Sequence, residues 1–142
     1  MNERNDLRGL WRGKRKDNGR WIEGYLLRYG HRTCIYCAYK DYFISNSKII
    51  VSPFDVIFVT LGECTGLHDT NGKPIFEGDI CTVATPNIGD DEYGVIEYDD
   101  NEAVFIVNFG TYTINFCNNI NSSMVEIIGN IHDFPELLKG GK

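Results

Sequence analysis

The chain has 142 residues, 42% of them hydrophobic and 24% charged, with a formal net charge of −6; this suffices for one well-formed core, or two small subdomains, in an ordinary globular protein. No apolar run approaches the roughly 18 residues that a bilayer-spanning helix needs, and the opening MNERNDLRGLWRGKRKDNGRW lacks the apolar segment of a secretory signal, so no membrane partner and a cytoplasmic location are expected. Five cysteines in such a chain read as free thiols rather than as a disulfide framework.

Aromatic residues make up 13% of the chain, and Val, Ile, Tyr and Phe recur, which leans the composition towards pleated, half-buried strands. Residues 1–10 are polar and expected to be loosely ordered. Asn18-Gly19 is a tight-turn signal between a short strand near LWRGKRK and a longer one over RWIEGYLLRY. RTCIYCAY and YFISNSKIIV read as two more strands, and Ser52-Pro53 reads as a turn before the apolar run that follows. Five further runs succeed one another at short intervals: GDICTVAT, YGVIEYDD, AVFIVNFG, TYTINFCNNI and MVEIIGNIHD. Turn signals separate several of them, at Pro86-Asn87-Ile88-Gly89, Asp99-Asp100-Asn101 and Asn121-Ser122-Ser123, and this spacing suggests a small barrel or sandwich. DFPELLKGGK reads as one helical turn with Asp133 as its cap.

Charge is unevenly spread. Residues 1–40 carry ten Lys and Arg against four Asp and Glu, a balance of +6 that leaves −12 for the remainder. Such a split marks either a nucleic-acid arm on an acidic body or two faces that attract each other, within the chain or between subunits. The pI near 5.0 opposes strong phosphate binding unless the basic surface is isolated. Arg12, Lys14, Arg15, Lys16 and Arg20, interleaved with Trp11 and Trp21, are the residues that would pair phosphates and stack bases; the plainer reading makes both tryptophans core aromatics of a basic hairpin.

Chemistry-bearing motifs are sparse. Cys34 and Cys37 form a C-x-x-C with His31 just before it, but a strand puts residues three apart on opposite faces, and no second ligand pair follows for a tetrahedral zinc. His31, His68 and His132 stand outside any nucleophile motif, and the acidic runs Asp90-Asp91-Glu92 and Asp99-Asp100 sit in turn contexts. No catalytic residue, metal or cofactor is expected.

The densest signal is TGLHDTNGKPIFEGDI, residues 65–80. As a calcium loop it fails on register: with Gly72 at the obligatory glycine position, Leu67 and Gly78 would occupy the first and last ligand positions. As a junction it is coherent. Asn71-Gly72 supplies the positive φ angles of a tight turn, Pro74 stiffens the exit, and Glu77-Gly78-Asp79 leads into the next strand.

That stretch, with VEIIGNIHDFPELL about fifty residues later and RGKRKDNGRWIEGYLL near the start, resembles the YopX family of phage and prophage proteins over roughly residues 7–138. The family signature falls on Thr65, Gly66, Leu67, Asp69, Asn71, Gly72, Ile75, Glu77, Gly78, Asp79 and Ile80, and its closing motif on Ile128, Gly129, Asn130, Ile131, Pro135, Glu136 and Leu137; residues 30–60 depart from the pattern. The resemblance implies a mainly β fold and self-association, and carries over no catalytic residue.

The reading is therefore a mainly β chain, α+β being the alternative class: a β-rich subdomain over residues 1–62, then an SH3-like small barrel over residues 63–142 with the junction at 65–80 and a short C-terminal helix. Its expected role is that of a non-enzymatic phage accessory protein in the bacterial host cytoplasm, binding a phage or host protein or forming a homo-oligomer. The alternative is a nucleic-acid-binding module using the basic N-terminal surface.

Overall fold

A computed structural model describes residues 7–40 and 49–140. Residues 1–6, expected to be loose, and the first part of the strand expected over YFISNSKIIV, lie outside the described residues. Contacts divide the chain into two compact units, Met1–Glu63 and Cys64–Lys142, and the fold is mainly β with every strand pair antiparallel.

In the first unit, β1 (Trp11–Lys14), β2 (Trp21–Tyr29), β3 (Arg32–Lys40) and β4 (Ile49–Asp55) form a meander, and the first two residues of β5 (Gly62–His68) pair with the other side of β1. The β1–β2 loop is closed by the Arg15 N–H donating to the Arg20 carbonyl and the Gly19 N–H donating to the Arg15 carbonyl, both at 2.9 Å; Gly19 takes φ +73° while Asn18 keeps a negative φ, so this is a longer hairpin loop with one left-handed residue, not the two-residue turn that Asn-Gly suggests. Ile35 and Val56 are fully buried at its centre. Gly24 lets β2 approach β3: a Cβ there would run into the Tyr36 carbonyl oxygen.

Ser52-Pro53 is not a turn but part of β4, where Pro53 lies opposite Tyr36. The reason is position. The Val56 N–H points to β3, bonding Thr33 at 3.1 Å, while the Asp55 carbonyl points away to Lys16. Pro53, two residues from Asp55, turns its nitrogen the same way, so no ladder bond to β3 is lost. Beyond β4 the chain returns to β1: Val56 bridges Arg15, and the Ile57 N–H donates to the Lys14 carbonyl at 2.8 Å.

In the second unit, the remainder of β5 pairs with β6 (Pro74–Phe76), and β7 (Asp79–Val83), β8 (Gly94–Asp99), β9 (Val104–Asn108), β10 (Thr113–Asn115) and β11 (Val125–Asn130) build a five-stranded sheet of order β10-β9-β8-β7-β11. Its core gathers Ile75, Cys81, Ile96, Val107 and Val125, all without solvent exposure, each larger side chain contributing about 1.5–3 kcal/mol by burial. The helical turn is α1 (Glu136–Gly140).

The sheet is open, not the closed barrel that evenly spaced strands suggest: among the described residues its edge strands β10 and β11 do not pair. Two local causes keep them apart. Asn115 ends β10 after three residues, its Oδ1 accepting the N–H groups of Cys117 and Asn118 at 3.0 and 2.7 Å. The outer edge of β11 is occupied by residues 69–70.

Candidate functional site

The stretch over residues 65–80 is a three-strand connection rather than a bare turn. It holds the end of β5, all of β6 and the start of β7. Gly66 takes φ +84° where the β5–β6 register shifts between Cys64 and His68, the geometry of a bulge that needs a glycine. The following hairpin closes with the Asp69 N–H on the Lys73 carbonyl at 2.8 Å and the Gly72 N–H on the Asp69 carbonyl at 3.0 Å. Gly72 is at φ +82°, whereas Asn71 keeps a negative φ; the turn is the longer hairpin type with one left-handed residue, not the two-residue turn that Asn-Gly suggests.

Asp69 is only 5% exposed. Its Oδ1 accepts the N–H groups of Asn71 and Lys73, both at 2.9 Å, and its Oδ2 accepts the Ile127 N–H at 3.0 Å, 58 residues along the chain. Beside it the Thr70 N–H donates to the Val125 carbonyl at 2.8 Å. Burial works to raise the pKa of this carboxyl, but the three N–H donors outweigh it and hold it below the ordinary value. Asp79, 2% exposed, accepts the Phe76 N–H at 2.8 Å across the turn at Glu77-Gly78. Gly78, at φ +89°, donates to the Ile96 carbonyl and accepts from the Ile131 N–H, both at 2.9 Å. Glu77 is half-buried.

Gly129 and Asn130 belong to the same assembly. Asn130 pairs with Asp79 across β11 and β7, and the register shifts between Ile127 and Gly129. A Cβ on Gly129 would lie 2.9 Å from Leu137 of α1. The Asn130 Oδ1 accepts the N–H groups of His132 and Asp133, both at 2.9 Å, so Asn130 organises the turn that delivers α1. The two motifs, far apart in sequence, thus meet through main-chain and carboxylate bonds: 69 to 127, 70 to 125, 78 to 131 and 79 to 130. Sequence reasoning found each motif but not their contact, for no local periodicity reports a long-range partner.

These bonds explain the pairing of the two motifs, and one family unites them. The sequence profile of that family, described as YopX protein, matches residues 10–139. The chain belongs to the YopX family. Among solved structures, the crystal structure of protein EF1440 from Enterococcus faecalis is similar to this YopX chain at 20% identity and a TM-score of 0.50, over 90% of this chain and 96% of that one; at such identity the likeness concerns the fold alone. No curated protein matches the chain.

The basic segment of this YopX protein is largely occupied with itself. Arg12 is 9% exposed, with its guanidinium 4.8 Å from the Trp21 ring centroid, and Lys14 Nζ lies 5.4 Å from the same ring. Arg15 pairs with Asp17 at 2.6 Å and stacks over Phe54 at 4.0 Å. Lys16 and Arg20 are exposed. Trp11 and Trp21 are half-buried rather than core residues.

The C-x-x-C thiols diverge. Cys34 is buried, its Sγ donating to Asp55 Oδ1 at 3.1 Å beside Arg32, while the Cys37 Sγ donates to the Glu23 carbonyl at 3.2 Å. Burial pushes both thiols above their ordinary pKa, and pushes Cys81 up to about 12, the reverse of an activated nucleophile. No group of three or more His, Cys, Asp or Glu that could hold a metal occurs among the described residues. No helix among them is long and apolar enough to cross a membrane.

What sequence reasoning missed is the outward face of β2. Tyr25, Leu27 and Tyr29 are 57%, 44% and 78% exposed, while Gly24 and Leu26 face inward towards Ile35. Tyr36 stands beside Tyr25 on β3, extending the stripe across the sheet. RWIEGYLLRY carried the signal: a strand with apolar residues on both faces has an outer face to cover.

Proposed function

We propose that this YopX protein acts without catalysis, as a binding protein whose first partner is its own copy, docked through the outer face of β2. The observation carrying this reading is the exposed run Tyr25, Leu27, Tyr29. Apolar side chains scattered singly on a surface are normal, whereas a contiguous aromatic and aliphatic stripe marks an interaction surface. A two-fold axis on the outer face near residue 26 would set Tyr25 of one copy against Leu27 of the other, the self-complementary arrangement of an isologous dimer. Tyrosine suits such a face, giving large contact area at small entropic cost. The inward-turned Asp69 and Asp79, and the cysteines with raised pKa values, support the non-enzymatic part of the proposal. A role as a phage accessory factor in the host cytoplasm fits this reading. The nucleic-acid alternative is weakened by Arg12, Lys14 and Arg15, whose charged groups are engaged with Trp21, Asp17 and Phe54.

Light scattering after size exclusion tests the proposal. At tens of micromolar the wild type should elute as more than one chain and Leu27→Asp as a monomer with unchanged thermal stability. A monomeric wild type, or a Leu27→Asp variant that associates as before, would contradict it.

A further inference from the structure

The second unit contains a cavity of about 370 Å³, within the roughly 300–1,000 Å³ of small-molecule sites. One wall is the turn after β7, with Thr85, Asn87 and Ile88; the other is the start of β10, with Tyr112 and Thr113. Glu92 fastens the walls together. Its Oε2 accepts the Gly89 N–H and its Oε1 accepts the Tyr112 hydroxyl, both at 2.8 Å, so the cavity is held open by the fold. Phe109 stacks on the Tyr112 ring, with centroids 5.0 Å apart at 18°, which fixes that ring at the cavity wall.

The lining chemistry defines the ligand. Its polar groups are hydroxyls and amides: those of Asn87, Thr113 and Asn119, with Tyr112; Ile114 and Ile120 supply apolar surface. No Asp, Glu, Lys, Arg or His lines it. The surrounding unit, residues 64–142, carries thirteen acidic against three basic residues, a balance of −10, which repels anionic ligands such as nucleotides. A pyranose combines the required features: neutral charge, several hydroxyls, a C–H face to lay on an aromatic ring, and monosaccharide size. We propose that this cavity is a binding site for a neutral saccharide ring, a ligand distinct from the protein partner of the β2 face.

Amide NMR titrations of the full chain with N-acetylglucosamine and with methyl glucopyranoside test this, with glucose monophosphate and adenosine as comparison ligands. The expected result is a saturable shift of the Asn87, Ile88, Thr113 and Asn119 amides in the millimolar range for at least one neutral sugar, with the phosphorylated sugar weaker by about fivefold or more. Asn87→Ala and Thr113→Ala should each weaken sugar binding by about fivefold at unchanged melting temperature. If either variant fails to fold, the other carries the comparison. The proposal is overturned by the absence of saturable shifts at these amides with either sugar, by adenosine or the phosphorylated sugar binding more tightly than both, or by undiminished sugar affinity in a folded variant.

Discussion

Asp69 does the most at the scale of single residues. Its carboxylate is buried, yet it is charged, because three N–H groups converge on it. Asp69→Ala leaves those donors without their acceptor and should cost about 2 kcal/mol or more, measured by urea unfolding. The pH dependence has a definite sign. The folded-state pKa lies below the ordinary 3.8, so the stabilisation is fully present above that value and is lost as pH falls through it towards the folded pKa. Asp69→Asn should therefore flatten the acid limb of the stability curve; an unchanged limb would assign acid sensitivity to other groups. Gly72 is a cleaner case. At φ +82° nothing lies within 4 Å of where a Cβ would sit, so Gly72→Ala tests backbone strain alone, and about 1–2 kcal/mol of destabilisation is expected. The local half of this geometry, an Asx side chain closing a turn that contains glycine, could be read from DTNG. The bond from Asp69 to Ile127 could not.

At the scale of elements, the signature loop protects a sheet edge. Val125 and Ile127 turn main-chain groups outward from β11, and there they meet Thr70 and the Asp69 carboxylate. An unpaired edge of this kind invites pairing with other chains. Hydrogen exchange at the Ile127 amide reports the cover directly. In Asp69→Ala its protection should fall by about tenfold or more, equivalent to about 1.4 kcal/mol, while amides between β8 and β9 keep theirs; equal loss throughout would mean global destabilisation instead. The β2, β3, β7, β8, β9 and β11 strands were legible because β-branched and aromatic residues fill them between turn signals. β5 and β6 were not: three glycines and a proline in residues 65–80 outweigh the short apolar runs, and the pairing of Cys64 with Phe76 is what makes strands of them. Ser52-Pro53 misled for a related reason, since a proline is harmless where its nitrogen points away from the neighbouring strand.

At the scale of the molecule, family membership was legible because its motifs are glycine and aspartate positions fixed by backbone geometry. The β2 stripe passed unnoticed because alternation in RWIEGYLLRY does not say which face has company. The charge split of +6 and −12 offers an electrostatic route to association, and the stripe an apolar one. Salt separates them: association through Tyr25, Leu27 and Tyr29 should persist at ~1 M salt, where the Debye length is about 3 Å, while charge-driven association or nucleic-acid binding should fade. The most direct measurement of the central claim is a dilution series of amide NMR spectra from hundreds of micromolar downwards. The account predicts concentration-dependent shifts at Tyr25, Leu27, Tyr29 and Tyr36, with the β8–β9 amides unmoved. Spectra that do not change with concentration, or changes centred on another surface such as β11, would contradict it.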